Sequence, residues 1–171
     1  MNTSGRRIVV GVFLGQPSSV LEQAAFFAGQ LNAELVCAHV DSSRYVSEEK
    51  PDGTIVSRPI DPDLIDLREE VVDPNLKAEI AHALEGRAAG WMVRALAGDP
   101  AEALAHLANE LDALLIVVGT RKAGIRRGLH EFFDGSVGAR LAHRQHRPVL
   151  IIPLSPVAFD SELPWKDATA Q

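Results

Sequence analysis

Arg6-Arg7-Ile8-Val9-Val10-Gly11-Val12-Phe13-Leu14, followed by Pro17-Ser18-Ser19, decides the fold, because it admits two incompatible readings. Two arginines ahead of an apolar run imitate the charged and hydrophobic parts of an export signal. No small-residue cleavage site precedes the helix start at Pro17-Ser18-Ser19, and a buried first strand accounts for every residue. Ile8–Leu14 is therefore read as a strand, and the rest of the chain must cover both its faces.

Four further runs supply its neighbours: Ala33–Val40, Trp91–Ala97, Ala113–Val118 and Pro148–Ile152. All are near-continuously apolar instead of alternating, which suits strands packed on both sides. Helical patterns separate them. Ser19-x-x-Glu22 reads as a capping box, with Leu21, Ala24, Ala25, Ala28 and Leu31 on one face. Asp73-Pro74 opens a helix through Leu76, Ile80 and Leu84 that ends near Gly86 or Gly90. Asp99-Pro100-Ala101-Glu102 repeats the start signal ahead of Leu104, Leu107, Ala108 and Leu111. A last helix follows Gly135-Ser136 and must stop before Pro148. Strands alternating with helices predict an α/β protein with an open five-stranded parallel sheet, doubly wound, helices on both faces.

The chain has 171 residues and a net charge of -6, with 46% hydrophobic residues and one cysteine. That length suits a single core, expected over residues 6–154, with residues 155–171 as a surface-lying or disordered extension. One thiol excludes a disulfide framework and a multi-cysteine zinc site. The acidic balance disfavours nucleic acid and anionic membrane as partners. No run approaches the roughly 18 apolar residues of a membrane span, so the expectation is a cytoplasmic protein. Residues 41–72 break the alternation and read as a long acidic excursion holding Pro51, Gly53, Pro59 and Pro62. Eleven Asp+Glu against five Lys+Arg between residues 41 and 80 account for the whole net charge.

Ligands of open parallel sheets bind beyond the carboxyl ends of the strands, where strand order reverses. The loops after strands one and four are thus the places to look. No two glycines stand two residues apart, so the G-x-G core of the dinucleotide fingerprint is absent. Gly119 and Gly124 have Walker A spacing, but Ile125-Arg126 follows where Lys-Ser/Thr is needed. What remains is a loop with glycines at 119, 124, 128 and 135, and Gly135-Ser136 leads into a helix whose free N–H groups attract anions. Two readings fit it equally: a phosphate cradle, or a loop ending in an ordinary serine cap.

Val9-Val10-Gly11-Val12, Ala33-Glu34-Leu35 through His39-Val40, Gly98-Asp99-Pro100-Ala101-Glu102-Ala103, Leu115 through Thr120, Gly135-Ser136-Val137 and Arg147-Pro148 through Pro153 together resemble the universal stress protein family. The resemblance covers about residues 6–154 with every element in order. It implies strand order 3-2-1-4-5 and homodimers joined through the edge strand Pro148–Pro153. Some members bind ATP, with Mg, and others do not. In the binders an Asp ending strand one and a Val ending strand two hold adenine, and a Gly-x-x-Gly-x(9)-Gly-Ser/Thr loop after strand four holds ribose and phosphates. Transferred here, the site is Val12, Phe13, Val40, Gly119, Thr120, Arg121, Gly135, Ser136 and Val137. Val40, Gly119, Gly135 and Ser136 match the pattern; Phe13 replaces the Asp, Lys122 replaces the second glycine, and the loop is three residues longer.

The loop and the helix after it carry seven Lys+Arg (Arg121, Lys122, Arg126, Arg127, Arg140, Arg144, Arg147) against Glu131 and Asp134. This local basic excess reads either as an anion site or as a solvated loop answering the acidic excursion. Cys37 reads as a buried small hydrophobe, His39 as a core or pocket-edge residue, and Phe132-Phe133 as anchors that seat the loop. His143 and His146 share a helix face in this reading but make a poor metal pair, so neither a metal nor a catalytic set is assigned. The expectation is a non-enzymatic, homodimeric stress-response protein with a regulatory site for ATP or another adenine nucleotide. The alternative is a stress or interaction module of the same fold that binds no nucleotide; as an enzyme, the chain is at most a slow nucleotide hydrolase.

Overall fold

A computed structural model of the chain describes residues 5–87, 90–120 and 137–154. Along them run β1 (Arg6–Gly11), α1 (Ser19–Leu31), β2 (Ala33–Asp41), β3 (Arg44–Glu49), β4 (Ile55–Pro59), β5 (Arg68–Glu69), α2 (Pro74–Leu84), β6 (Trp91–Ala97), α3 (Pro100–Glu110), β7 (Leu115–Gly119), α4 (Val137–Arg144) and β8 (Val149–Ile152). The five apolar runs form one sheet in the order β6-β2-β1-β7-β8, every pair parallel. Counting only these strands, that is the order 3-2-1-4-5.

Period-two alternation explains why the runs are apolar throughout. Ile8 and Val10 of β1 point to one face with Leu35, Cys37 and Val117, where α1 and α2 add Leu21, Ala24, Ile80 and Leu84. Val9 points to the other with Val36, Ala38, Ile116 and Val118, under Leu104 and Leu107 of α3 and Leu141 of α4. Fully burying each large aliphatic side chain contributes about 1.5–3 kcal/mol.

Helix starts depart from expectation once. The N-cap of α1 is Ser18, whose backbone is already helical and whose side chain makes no capping bond, so Ser19-x-x-Glu22 is not a capping box. Helical winding from Pro17 explains this, since the Val20 amide bonds to the Pro17 carbonyl at 3.3 Å and a capping side chain needs an extended residue. Asp73 and Asp99 do cap α2 and α3, accepting from the amides of Asn75 and Glu102. Partial burial pushes the Asp99 carboxyl up, but the Arg140 hydrogen bond, the helix-end amides and the Arg140 charge outweigh it and hold its pKa below the usual value. A depressed folded-state pKa gives stability that is present above the unfolded value of about 4 and lost as pH falls through the folded one. Asp99→Asn is expected to flatten the acid side of the stability profile below about pH 4. Urea midpoints across that range check it, and an unchanged slope counts against the assignment.

Several boundaries move by a residue or two, and two shifts matter. β1 stops at Gly11 instead of Leu14, because the Gln16 amide closes on the Phe13 carbonyl at 3.1 Å with Gly15 at φ +74°, turning the chain out of the sheet. α4 stops at Arg144, so His146 lies beyond it and does not share a helix face with His143.

The larger correction is residues 41–72, which are not an irregular excursion. β3, β4 and β5 form an antiparallel sheet of their own. The β3–β4 turn uses Pro51-Asp52-Gly53: the Gly53 amide bonds to the Lys50 carbonyl at 2.8 Å, and Gly53 takes φ +81°. The positive φ is what favours glycine there; a Cβ would also lie 1.9 Å from Arg94 Nη2, the mobile end of a long side chain that would have to swing aside. Arg44, only 5% exposed, closes the layer: its guanidinium donates to Ser57 Oγ at 2.6 Å, the Ser57 carbonyl at 3.0 Å and the Asp66 carbonyl at 2.7 Å, and Nε lies 3.2 Å from the buried Glu70 carboxylate.

Candidate functional site

The ends of β1, β2 and β7 frame a cavity of about 540 Å³. Gly11, Ala38 and Val118 form its floor, and the turn from Val12 to Pro17 rises on one side. His39 and Val40 of β2 stand on one side of β1, Gly119 and Thr120 leave β7 on the other, and Pro100, Leu104 and Val137 come from α3 and α4. The sheet reverses direction of growth at β1, since β2 and β7 flank it, so the cavity lies at the topological switch point.

Val12, Phe13, Val40, Gly119, Thr120 and Val137 all line this one space. Arg121, Gly135 and Ser136 lie outside the described residues, as do Lys122, Arg126, Arg127, Glu131, Phe132, Phe133, Asp134 and the extension 155–171. Phe13 is 49% exposed and puts a hydrocarbon face where the family pattern has a carboxylate.

Polar groups around the wall are partly committed. His39 Nδ1 lies 3.2 Å from the Val12 carbonyl, which only accepts, so Nδ1 carries the proton and a neutral ring keeps Nε2 as an acceptor. Thr120 Oγ1 accepts from the Leu154 amide at 2.8 Å, leaving the hydroxyl proton to donate. The Gln16 amide nitrogen donates to the Gly11 carbonyl at 3.3 Å, while Gln16 Oε1 is buried with no protein partner. Cys37 is fully buried below the floor, and burial pushes its thiol up to about 12, so it is protonated and inert at neutral pH.

Gly119 has a packing reason independent of any ligand. A Cβ there would meet Val20 Cγ2 at 3.0 Å and Leu154 Cδ1 at 3.1 Å, on the α1 side of the sheet.

The basic excess divides differently from its sequence sum. Arg140 pairs with Asp99 at 2.5 Å, Arg144 with Glu102 at 2.6 Å, and Arg147 with Asp112 at 3.0 Å while also donating to the Ala113 carbonyl. These three bind α4 and its exit to acidic groups at the start of α3, on it and after it, so they are structural cations and not a free anion patch. Sequence reasoning summed their charge because the acids that answer them lie about forty residues away. Gln16, Pro100 and Leu104 were not in the predicted set, whereas His39, read as a core or pocket-edge residue, does line the wall; Pro100 and Leu104 follow from the α3 start signal, and Gln16 from its place in the first loop.

Fold and cavity define a doubly wound α/β protein with a ligand-sized recess at the switch point. The chain belongs to the universal stress protein family, whose model matches residues 5–153. Among solved structures, it is similar to a universal stress protein in complex with cAMP, at 26% identity and TM-score 0.58, covering 88% of this chain and 98% of that one. Two structures of universal stress protein from Archaeoglobus fulgidus share the fold. One has 20% identity and TM-score 0.56, covering 86% of this chain and 93% of that one. The other, in complex with dAMP, has 17% identity and TM-score 0.53, covering 86% and 97%. No curated protein matches the chain significantly. Among the described residues no helix is long and apolar enough to cross a membrane.

Proposed function

We propose that the cavity at the switch point binds an adenine nucleotide as a regulatory ligand and that the chain is a non-enzymatic stress-response protein. The observation that carries this is the convergence of Val12, Phe13, Val40, Gly119, Thr120 and Val137 on one recess of about 540 Å³, a volume that suits a small organic ligand. The 26% identical neighbour bound to cAMP supports the ligand class. Val40 and the half-exposed ring of Phe13 offer apolar faces to a base, and Val137 opens α4, whose N-terminal amides favour phosphate.

Phe13 favours a second reading, a module of the same fold without nucleotide, since it removes the carboxylate acceptor for an adenine amino group. Calorimetric titration with Mg-ATP and with cAMP separates the two. Saturable heat and a raised thermal midpoint are expected; neither signal at about millimolar ligand sinks the nucleotide reading. If Phe13→Asp then creates binding from none, the second reading stands.

Homodimer formation through β8 is part of the proposal. β8 is an edge strand, Ile151 on it is 43% exposed, and Pro148 and Pro153 bracket it. Among the described residues no strand pairs with the outer side of β8, and an apolar edge of this kind calls for a partner. Light scattering that returns a monomer mass at micromolar concentration excludes the pairing.

A further inference from the structure

The antiparallel insertion meets α3 at a group of donors that the cavity does not use. His106 and Glu110 stand four residues apart on α3 and so share a face, and Glu49 reaches the same place from the end of β3. One imidazole nitrogen and two carboxylate oxygens, one from each residue, lie within 4.8 Å of one another. Among the described residues this is the group of three such ligands that converges.

An extra residue in β3 puts Glu49 there. Val46 pairs with Ser57, but beyond the bulge Glu48 pairs with Val56 and Glu49 with Ile55. Continuing the first register would set Glu48 opposite Ile55 and turn Glu49 to the other face. Directly paired residues share a face, and Ile55 is buried in the cluster that holds Leu104, Leu107 and Ala108 of α3. The bulge therefore aims Glu49 at the helix. Two carboxylates brought together in this way repel each other. Arg94, 3.9 Å from Glu110, lies at the outer limit of an ion pair and leaves Glu49 unanswered in that contact.

We propose that Glu49, His106 and Glu110 form a binding site for Zn²⁺ or a neighbouring divalent transition metal. An imidazole in the set argues against Ca²⁺ and Mg²⁺, which take oxygen ligands, and the lack of thiolate argues against soft Cu(I). Bond lengths of about 2.0–2.2 Å around a tetrahedral ion bring ligand atoms to roughly 3.3–3.6 Å apart. The three side chains are exposed and reach that spacing by rotamer adjustment, with water in the fourth position. The ion clamps the insertion onto the helix whose first turns line the cavity.

Zn²⁺ titration of the full chain in competition with a chromophoric chelator tests the site. The variants are His106→Ala, Glu49→Gln and, as a control, His143→Ala, exposed on α4. Affinity is expected to fall at least about tenfold in the first two and not in the control. Zn²⁺ should raise the thermal midpoint of the wild type but not of His106→Ala, whose midpoint without metal stays unchanged because the residue is exposed. A wild type that takes up no Zn²⁺ at about 100 µM free metal, or a His106→Ala variant with wild-type affinity, overturns the proposal.

Discussion

Arg44→Met is expected to destabilise the antiparallel insertion by about 3 kcal/mol, the low end of what removing one partner of a buried ion pair costs. Arg44 and Glu70 have side chains only 6% and 5% exposed. Methionine fills much of the same volume but leaves the Glu70 carboxylate with the Ser57 hydroxyl, which donates to it, and Arg68 Nε at 3.5 Å. Arg68 is half exposed, so solvent screens what it returns. The Asp66 pair adds little for the same reason, because that side chain is 57% exposed. Three carbonyl and hydroxyl acceptors lose their donor as well, and two of them belong to Ser57, which is fully buried.

Hydrogen exchange localises the effect. Amides of β3 and β4 should exchange faster while those of β1 and β7, between the two main cores, keep their protection. The double variant Arg44→Met with Glu70→Leu should recover much of the loss, because no unpaired charge then remains buried. A single variant within about 1 kcal/mol of wild type, or a double variant no more stable than the single, shows that the network does not hold the layer.

The main sheet was legible because its evidence is local. Ile8-Val9-Val10 and Leu115-Ile116-Val117-Val118 are apolar at every position, which only a strand covered on both faces requires. Asp73-Pro74 and Asp99-Pro100 carry their helix starts in adjacent residues. The insertion was not legible as a sheet, since its register depends on a bulge and its buried charge on residues scattered from Arg44 to Glu70. An arginine and a glutamate in an acidic, proline-bearing stretch look solvated until the fold brings them together. The same holds for Arg140, Arg144 and Arg147, whose neutralising partners lie on α3 or flank it. Of the site, the strand-end residues were found because topology alone places them at the switch point, whereas Pro100 and Leu104, though their helix start is legible, are set against the strand ends only by the packing of α3 on the sheet.

Val137→Glu separates nucleotide binding from stability more cleanly than any truncation. Val137 is the first residue of α4 and lines the cavity, so the substitution sets a carboxylate at a helix N-terminus facing the ligand space. For the free protein an acid in the first turn gains about 0.3–1 kcal/mol against the helix dipole, which offsets part of the packing lost at Val137, a half-buried side chain against the core under α3 and α4. For a phosphate-bearing ligand it is adverse. Two unit charges about 6 Å apart at an effective dielectric near 20 repel by roughly 3 kcal/mol, about a hundredfold in affinity. Mg-ATP and cAMP should therefore bind far more weakly to Val137→Glu than to wild type, while adenosine, which carries no phosphate, should lose little. Equal losses for adenosine and the nucleotides would point to a blocked or distorted cavity. No loss for any of them would place the phosphates away from α4, and the reading that joins Val40, Phe13 and the α4 N-terminus into one site would fall.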